Sequence, residues 1–223
     1  MFYFEEINGY KVLKSDFLED VNHCFTTKTL SSLDVECWGG MIFPDAKKVV
    51  FPQQTHSEHV EIVDERIDYP DTDGLIITQK KRPIALRFAD CTPLVFYDAK
   101  QKIGAVSHAG WRGTAQKIGI KTVYKMNSNP KDIIAIIGPA IGLCCYEVSD
   151  EVRGKLLETV DNVNGLTQGK NVDLKQINKR QLEEIGVNKI DVCPYCTSCD
   201  NDLFYSYRKE GGTSERHYAL LML

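Results

Sequence analysis

Two histidines and a cysteine lie at the ends of predicted strands and could together bind a metal ion. His56 ends the segment QQTH, Cys91 lies in FADCTP and His108 lies in SHAGWRG. Two imidazoles and one thiolate suit zinc or copper, and three protein ligands leave a fourth coordination position for water or substrate. Because the residues are 35 and 17 positions apart, they meet only if the fold brings them together. The alternative for Cys91 is a small buried apolar side chain at a strand end.

A glycine-rich turn could bind an anion. Gly110 and Gly113 flank Trp111 and Arg112 at a predicted strand-to-helix junction. Backbone amides at a helix start and a guanidinium group can jointly bind phosphate, so Arg112 is a candidate catalytic residue. The alternative is that Trp111 is a core aromatic residue and Arg112 a surface ion-pair partner.

Eight cysteines are the most unusual feature of the composition. Cys193, Cys196 and Cys199 form C-P-Y-C-T-S-C, which could bind a metal with one further ligand, act as a redox pair, or be three incidental thiols. Cys144 and Cys145 are expected to pack in the core. A chain of this size needs no disulfides, and its N-terminal sequence lacks a signal-peptide pattern. We therefore expect a cytoplasmic protein with free thiols.

The composition is typical of a soluble globular protein, and we expect one domain over residues 1–223. Hydrophobic residues make up 43% and charged residues 26%, which excludes disordered and fibrous classes. The formal net charge of −4 provides no basic field for nucleic acid. The longest uncharged apolar stretch, residues 133–146, is shorter than a membrane span and is interrupted by glycine and proline. We expect no nucleic-acid or membrane partner, and a monomer or a homodimer.

Strand-like runs dominate the first half of the chain, and helical periodicity begins after residue 108. We predict strands over residues 48–51, 60–63, 74–78, 84–88, 94–97, 103–107, 133–137, 189–192, 203–207 and 217–223. Helices are predicted over about 114–126, over 149–160 with Ser149 as N-cap, and over 174–185 before Gly186. Residues 165–170 are expected to form an exposed loop. Many strands with few, unevenly distributed helices favour an α+β fold with a mixed sheet.

Four segments resemble the signature blocks of the laccase-domain family. They are ADCTPLVFYD, SHAGWRG, IGPAIGLCCYEV, and CT followed by FYSYR, in this order. Members of this multicopper polyphenol oxidase family are also called purine nucleoside phosphorylases or peptidoglycan-editing factors. The resemblance extends from Gln53 to Arg208.

The resemblance implies a mononuclear metal site formed by His56, Cys91 and His108, usually described as zinc, with copper as the alternative. It also implies phosphorolysis of adenosine, inosine and methylthioadenosine, adenosine deamination as a second activity, and an α-β-β-α layered sandwich. Purine nucleoside and phosphate are then the partners. Copper-dependent oxidation of polyphenols is an older attribution in the family. The five histidines of this chain, none of them in an H-x-H pair, do not favour it.

Other residues of the matched region have open roles. Asp90 could orient a neighbouring group by a hydrogen bond, and Arg208 is a second candidate for phosphate binding. No role is carried over to Arg216, because TSERHY replaces a Thr-Gly-Arg pattern. Residues 31–45 depart from the family pattern, which leaves the substrate contacts of that segment undefined. Three further histidines are not expected to be ligands: His23, His59 and His217.

Two other classes of function stay open at this point. Cys91 could be the nucleophile of a cysteine hydrolase, with His108 as its base. Such an enzyme would remain active after chelation, whereas an enzyme that uses the thiolate as a metal ligand would not. Alternatively, the protein could act without catalysis in the editing of cell-wall precursors.

Overall fold

A computed structural model describes residues 1–30, 42–43, 45–66 and 68–223 of the chain, which is built mainly of strands. In chain order the strands are β1 (Phe2–Ile7), β2 (Tyr10–Ser15), β3 (Asn22–Thr26), β4 (Val60–Ile62), β5 (Gly74–Ile77), β6 (Ile84–Phe88), β7 (Thr92–Asp98), β8 (Ile103–Ala109), β9 (Ile133–Ile137), β10 (Thr167–Gln168), β11 (Asn171–Val172), β12 (Lys189–Val192) and β13 (His217–Met222). The α-helices with described bounds are α1 (Trp111–Ala115), α2 (Ile118–Lys125), α3 (Asp150–Leu157) and α4 (Leu174–Glu184).

Two sheets form the centre of the molecule. The order β1-β2-β3-β13-β6 makes a five-stranded sheet in which the paired strands are antiparallel. The order β12-β9-β7-β8-β5-β4 makes a six-stranded sheet, in which β12 pairs with β9 and β4 with β5 in parallel. The remaining pairs of this second sheet are antiparallel. The prediction of an α+β fold with a mixed sheet is therefore confirmed.

The two sheets pack face to face across an apolar core. Phe25 and Leu221 of the five-stranded sheet belong to the same buried cluster as Leu75 and Val95 of the six-stranded sheet. Each such side chain contributes about 1.5–3 kcal/mol when it is fully buried. Gly138, which follows β9, lets the backbone approach closely, because a Cβ there would clash with the Phe25 ring.

Helices cover the outer face of the six-stranded sheet. Ile118 and Val123 of α2 and Leu182 of α4 are buried in one cluster with Leu94 and Phe96 of β7. The outer face of the five-stranded sheet is covered by the side chains of Leu30, Ile42, Phe43 and Val49. This order of helices, sheet and sheet corresponds to three of the four layers of the α-β-β-α sandwich that the family resemblance implies. None of the helices that the structure describes has the length and apolar character of a membrane span.

The prediction of one continuous helix over about 114–126 is wrong, because two helices, α1 and α2, occupy this range. Lys117, between α1 and α2, has a φ of 57°, a left-handed conformation that an α-helix does not contain. Ala115 packs against the cluster that contains Leu156, whereas Ile118 packs on the sheet. The other two predicted helices are confirmed, with the Ser149 hydroxyl accepting the N–H of Val152 at the start of α3.

Two predicted strands are wrong, and the strands β1, β2 and β3 are absent from the prediction. Residues 48–51 contribute only an isolated bridge, between Val50 and Ile84. Residues 203–207 form turns and irregular backbone around the fully buried Phe204, and their aromatic and apolar side chains give the strand-like pattern. The expected loop at 165–170 contains the turn of the β10–β11 hairpin. Cys37 and most of the segment 31–45 lie outside the described residues.

Candidate functional site

Three connections between strands bring two histidines and a cysteine together. Cys91 lies in the link from β6 to β7, which passes from one sheet to the other. His108 lies near the end of β8, and His56 lies in the loop before β4. Their ligand atoms are all within 4.8 Å of one another, and the two imidazole rings meet edge to face. These three residues are called the histidine-cysteine cluster below.

The backbone is strained at one residue of this cluster and at a neighbour of another. φ is 64° at His56 and 83° at Asp90, the residue before Cys91. Such left-handed conformations cost of order 1–3 kcal/mol in non-glycine residues and persist where the surroundings impose them. The Asp90 carboxylate accepts hydrogen bonds from the Thr197 hydroxyl at 2.6 Å and the Arg208 backbone N–H at 2.7 Å. Asp90 therefore fixes the backbone beside Cys91.

Asp73 organises the cluster, although no sequence pattern points to it. Its Oδ1 accepts hydrogen bonds from His108 Nδ1 at 2.7 Å and from the His56 N–H at 3.1 Å. Its Oδ2 accepts the N–H groups of Thr55 and Ser57 and the Ser57 hydroxyl at 2.7–3.0 Å. The carboxylate is fully buried. Because Asp73 occupies Nδ1, the Nε2 of His108 is the nitrogen left to bind a metal.

The charges within the cluster shift one another's pKa values. Burial raises the pKa of the Cys91 thiol, but the nearby His108 and His56 outweigh it and lower this pKa to about 6. Burial lowers the pKa of His108, but Cys91 and Asp73 together raise it to about 9. Burial also raises the pKa of the Asp73 carboxyl group. The hydrogen bond from His108 outweighs this effect and lowers the pKa to about 2. At neutral pH Cys91 is therefore largely a thiolate, the form that binds a metal or attacks a substrate.

The glycines of SHAGWRG permit close packing around the cluster. A Cβ at Gly110 would lie 2.9 Å from the Sγ of Cys91 and 3.3 Å from the His56 ring. A Cβ at Gly113 would lie 3.1 Å from the carbonyl oxygen of His108. Both contacts are tighter than an ordinary Cβ contact, so a larger residue at either position would displace the cluster.

The histidine-cysteine cluster opens into a pocket of about 470 Å³. Besides the three residues of the cluster, the wall includes the side chains of Arg87, Arg208, Arg216, Tyr146 and Tyr207. The volume is typical of a small-molecule site. Guanidinium groups bind phosphate, and aromatic rings stack on planar bases. The wall includes both Arg208, a candidate from the sequence, and Arg216, for which the sequence suggests no role.

Interactions within the wall position two of these side chains. The Arg208 guanidinium donates to the carbonyl oxygen of Glu147 at 3.0 Å and lies 5.6 Å from the centre of the Tyr146 ring. The Arg216 guanidinium donates to the carbonyl oxygen of Thr213 at 2.6 Å. Burial raises the pKa of Tyr146, so its hydroxyl keeps its proton at neutral pH.

Arg112 does not line this pocket. Its guanidinium lies over the Trp111 ring, 4.5 Å from the ring centre. It lines a different groove, together with Lys155 and Glu158. Arg112 thus lies in the short helix α1 and outside the pocket, although it follows His108 closely in sequence.

The three other histidines lie outside the cluster. His23 is buried, and its Nε2 accepts the backbone N–H of Ser15 at 3.0 Å. His59 is exposed and pairs with Asp71 at 2.8 Å. His217 is buried among aromatic rings.

Comparison with known proteins identifies similar chains. A family model described as "Multi-copper polyphenol oxidoreductase laccase" matches residues 39–223. A protein of Bacillus subtilis (strain 168) named purine nucleoside phosphorylase YlmD is 35% identical over 198 residues, which cover 79% of this chain and 71% of the relative. A protein from an unknown prokaryotic organism, named adenosine deaminase RL5, is 32% identical over 195 residues, which cover 78% of this chain and 74% of the relative. The crystal structure of the Bacillus licheniformis hypothetical protein YfiH has a TM-score of 0.87 and 29% identity, and the match covers 99% of this chain and 98% of that one.

Proposed function

Because the chain belongs to the multi-copper polyphenol oxidoreductase laccase family, we propose that it is a metal-dependent purine nucleoside phosphorylase that also deaminates adenosine. Relatives are named for both activities. The observation that carries the proposal is a single pocket that combines the histidine-cysteine cluster with three arginines and two tyrosines. Adenosine, inosine and methylthioadenosine are the proposed nucleosides, and phosphate is the second substrate.

The donor chemistry of the histidine-cysteine cluster fits zinc. Two imidazoles and a thiolate converge within 4.8 Å, and the hydrogen bond from His108 to Asp73 sets the ring orientation that a ligand needs. Three ligands leave one position open for water or substrate, as in catalytic zinc sites. When bound, zinc supplies Lewis-acid activation of water or of a substrate atom, and copper is the alternative ion for these donors.

Arg208 and Arg216 are the proposed phosphate-binding residues. Both line the pocket, and a guanidinium group stays charged across the physiological pH range. Charge-assisted hydrogen bonds from such groups hold phosphate more strongly than neutral donors do. Arg112 is not proposed for this role, because it lies over Trp111 and lines another groove.

Tyr146 and Tyr207 are the proposed residues for the purine base. Tyr207 lines the pocket with 56% of its surface exposed, so a base stacked on it would bury apolar area that is now open to water. Tyr146 keeps its proton at neutral pH and can donate a hydrogen bond to a purine nitrogen. A donor at that position stabilises the negative charge that develops on the base as the glycosidic bond breaks.

The variant Cys91→Ala tests the role of the metal in both reactions. We expect it to lose zinc from this site together with adenine release and inosine formation from adenosine. Cys24→Ala is the matched control, because Cys24 is a buried thiol on the outer face of the five-stranded sheet. If Cys91→Ala retained full phosphorolysis, the metal would take no part in that reaction.

A cysteine hydrolase is a second candidate, favoured by the interactions of His108 with Asp73 on one side and with Cys91 on the other. Asp73 holds His108 by a 2.7 Å hydrogen bond, and His108 lowers the pKa of Cys91. A nucleophile, a base and an orienting carboxylate occur in this order in many covalent enzymes. A chelator distinguishes the candidates, because it would abolish the nucleoside reactions and leave a thiolate nucleophile active.

A further inference from the structure

Four cysteines from two loops form a second group, separate from the histidine-cysteine cluster. Cys144 and Cys145 follow β9, and Cys196 and Cys199 follow β12. Their sulfur atoms all lie within 4.8 Å of one another, and the Sγ of Cys199 is 3.5 Å from that of Cys144 and 3.4 Å from that of Cys145. We propose that these residues, the four-cysteine cluster, bind one structural zinc ion.

The spacing of the sulfur atoms agrees with tetrahedral coordination of zinc. With Zn–S bonds of about 2.3 Å, the sulfurs of a regular tetrahedron are about 3.8 Å apart. Two of the sulfur–sulfur distances, 3.4 and 3.5 Å, lie slightly below this value. All the sulfur–sulfur distances in the group are at most 4.8 Å, so the value lies within their range. A four-iron cluster binds each thiolate to a different iron, which would place the sulfurs further apart. Four protein ligands close the coordination shell, as in structural zinc sites.

Three of the four thiols are too exposed for a packing role, and the fourth, Cys196, is buried beside them. Free cysteines that serve only as small apolar side chains are among the most buried residues in proteins. Cys144 and Cys199 are exposed and Cys145 is half-buried, so the expectation that Cys144 and Cys145 pack in the core is wrong. Cys193, in contrast, is 1% exposed and belongs to the core between the sheets. The motif C-P-Y-C-T-S-C is therefore divided between a core residue and two members of the cluster.

Backbone hydrogen bonds bring the two loops into position. The N–H of Gly142 donates to the Sγ of Cys196 at 3.2 Å and so joins the two loops. The N–H of Cys145 donates to the carbonyl oxygen of Gly142, and the Asp200 carboxylate accepts the N–H of Cys196 at 2.9 Å. A Cβ at Gly142 would lie 3.3 Å from the Sγ of Cys144, so glycine leaves room for the thiols.

The same loops carry parts of the pocket wall. Ile141 and Tyr146 flank the first cysteine pair and line the pocket. Thr197, between the second pair, donates its hydroxyl proton to Asp90, the residue that fixes the backbone beside Cys91. An ion bound by the four cysteines would hold these two loops together and so fix the wall without touching the substrate.

The metal content of the purified protein tests the proposal without an activity assay. Native mass spectrometry with elemental analysis should find two zinc ions per chain. Cys199→Ser and Cys91→Ala should each retain one ion, whereas the matched control Cys193→Ser should retain two. With cobalt(II) in place of zinc, Cys91→Ala should show the strong charge-transfer absorption of several thiolates, and Cys199→Ser the weaker absorption of a single thiolate.

Several results would overturn the four-cysteine site. One ion per wild-type chain with none in Cys91→Ala would assign all the metal to the histidine-cysteine cluster. Retention of two ions by Cys199→Ser, iron as the second ion, or a disulfide between Cys199 and Cys144 in the native protein would also contradict it. The wild-type stoichiometry and the Cys91→Ala variant decide the question even if Cys199→Ser fails to fold. Because no catalytic readout is used, failure here is distinct from failure of the proposed enzymatic function.

Discussion

Replacing Asp73 by asparagine should weaken metal binding at the histidine-cysteine cluster with almost no change in side-chain volume. The groups around the carboxylate, among them the N–H groups of Thr55 and Ser57 and the Nδ1 of His108, all donate to it. Asparagine replaces one acceptor oxygen by an NH₂ donor. That donor should turn toward His108, because three donors face the other oxygen. His108 must then accept at Nδ1 and carry its proton on Nε2, the nitrogen that the metal needs.

The magnitude follows from the position of this hydrogen bond. Loss of a group that orients a metal ligand typically lowers metal affinity 10–100-fold, or by about 1.4–2.7 kcal/mol. The bond between Asp73 and His108 is short at 2.7 Å, charge-assisted and fully buried, which places the loss toward the upper end. We therefore expect zinc affinity and kcat/KM for adenosine to fall by about 30–100-fold.

Zinc affinity is measured by competition with a chromogenic chelator, and phosphorolysis is assayed on the same samples. Asp71→Asn is the matched control, because Asp71 is exposed and its φ of 46° is well tolerated by asparagine. The control should stay within about twofold of wild type, since it removes no interaction with a ligand. An affinity of Asp73→Asn within twofold of wild type, or an equal loss in both variants, would refute the reasoning.

Three further changes have distinct expected results. Gly110→Ala should weaken zinc binding about tenfold or more, because the added Cβ would lie 2.9 Å from the Cys91 sulfur, whereas Gly154→Ala, with nothing within 4 Å, should not change metal affinity in the same competition assay. Arg208→Gln should raise the KM for phosphate about tenfold and leave deamination unchanged in steady-state assays, because it removes one charged donor from the pocket. Burial lowers the pKa of His217 from 6.5 to about 3, so the unfolded chain binds a proton first as the pH falls, and stability is lost from about pH 6.5 downward. Between pH 7.5 and 4.5, His217 should lower the free energy of unfolding by about 2–3 kcal/mol. Urea unfolding of His217→Leu should therefore show a smaller decrease in the free energy of unfolding over this pH range than wild type. An equal decrease in wild type and variant would contradict the assignment.

Sequence patterns predict a strand best where its buried residues form a short uniform run. Residues 84–88 and 133–137 are such strands, and both have the predicted bounds. The first hairpin escapes prediction because β1 is only half-buried and carries two glutamates, although Asn8-Gly9 is a strong turn signal. The division between α1 and α2 depends on the left-handed backbone conformation of one residue, Lys117. The periodicity of apolar side chains does not reveal such a conformation, so the sequence predicts one helix.

The candidate site is predictable only where a residue type or motif carries the chemistry. His56, Cys91 and His108 are identifiable in this way. Asp73 is not, because it lies beside His108 only through the long-range pairing of β5 with β8. In the sequence, PDTDG (residues 70–74) is typical of an ordinary turn. Its role therefore depends on tertiary structure.

The cysteine pairs and the arginines illustrate the same limit. Local spacing groups Cys193 with Cys196, whereas the fold buries Cys193 in the core and brings Cys196 to Cys144. Proximity in sequence to His108 likewise favours Arg112 over Arg216, but the fold reverses their positions relative to the pocket. Contacts between distant segments decide both cases.

The most direct test of the central claim is the product analysis of adenosine incubated with the zinc-loaded protein, with and without phosphate, before and after chelation. We predict adenine and ribose 1-phosphate only when phosphate is present, and inosine in its absence. Both reactions should stop after chelation and return when zinc is restored. If the zinc-loaded protein formed neither adenine nor inosine, or if chelation left both rates unchanged, metal-dependent purine nucleoside chemistry at His56, Cys91 and His108 would be contradicted.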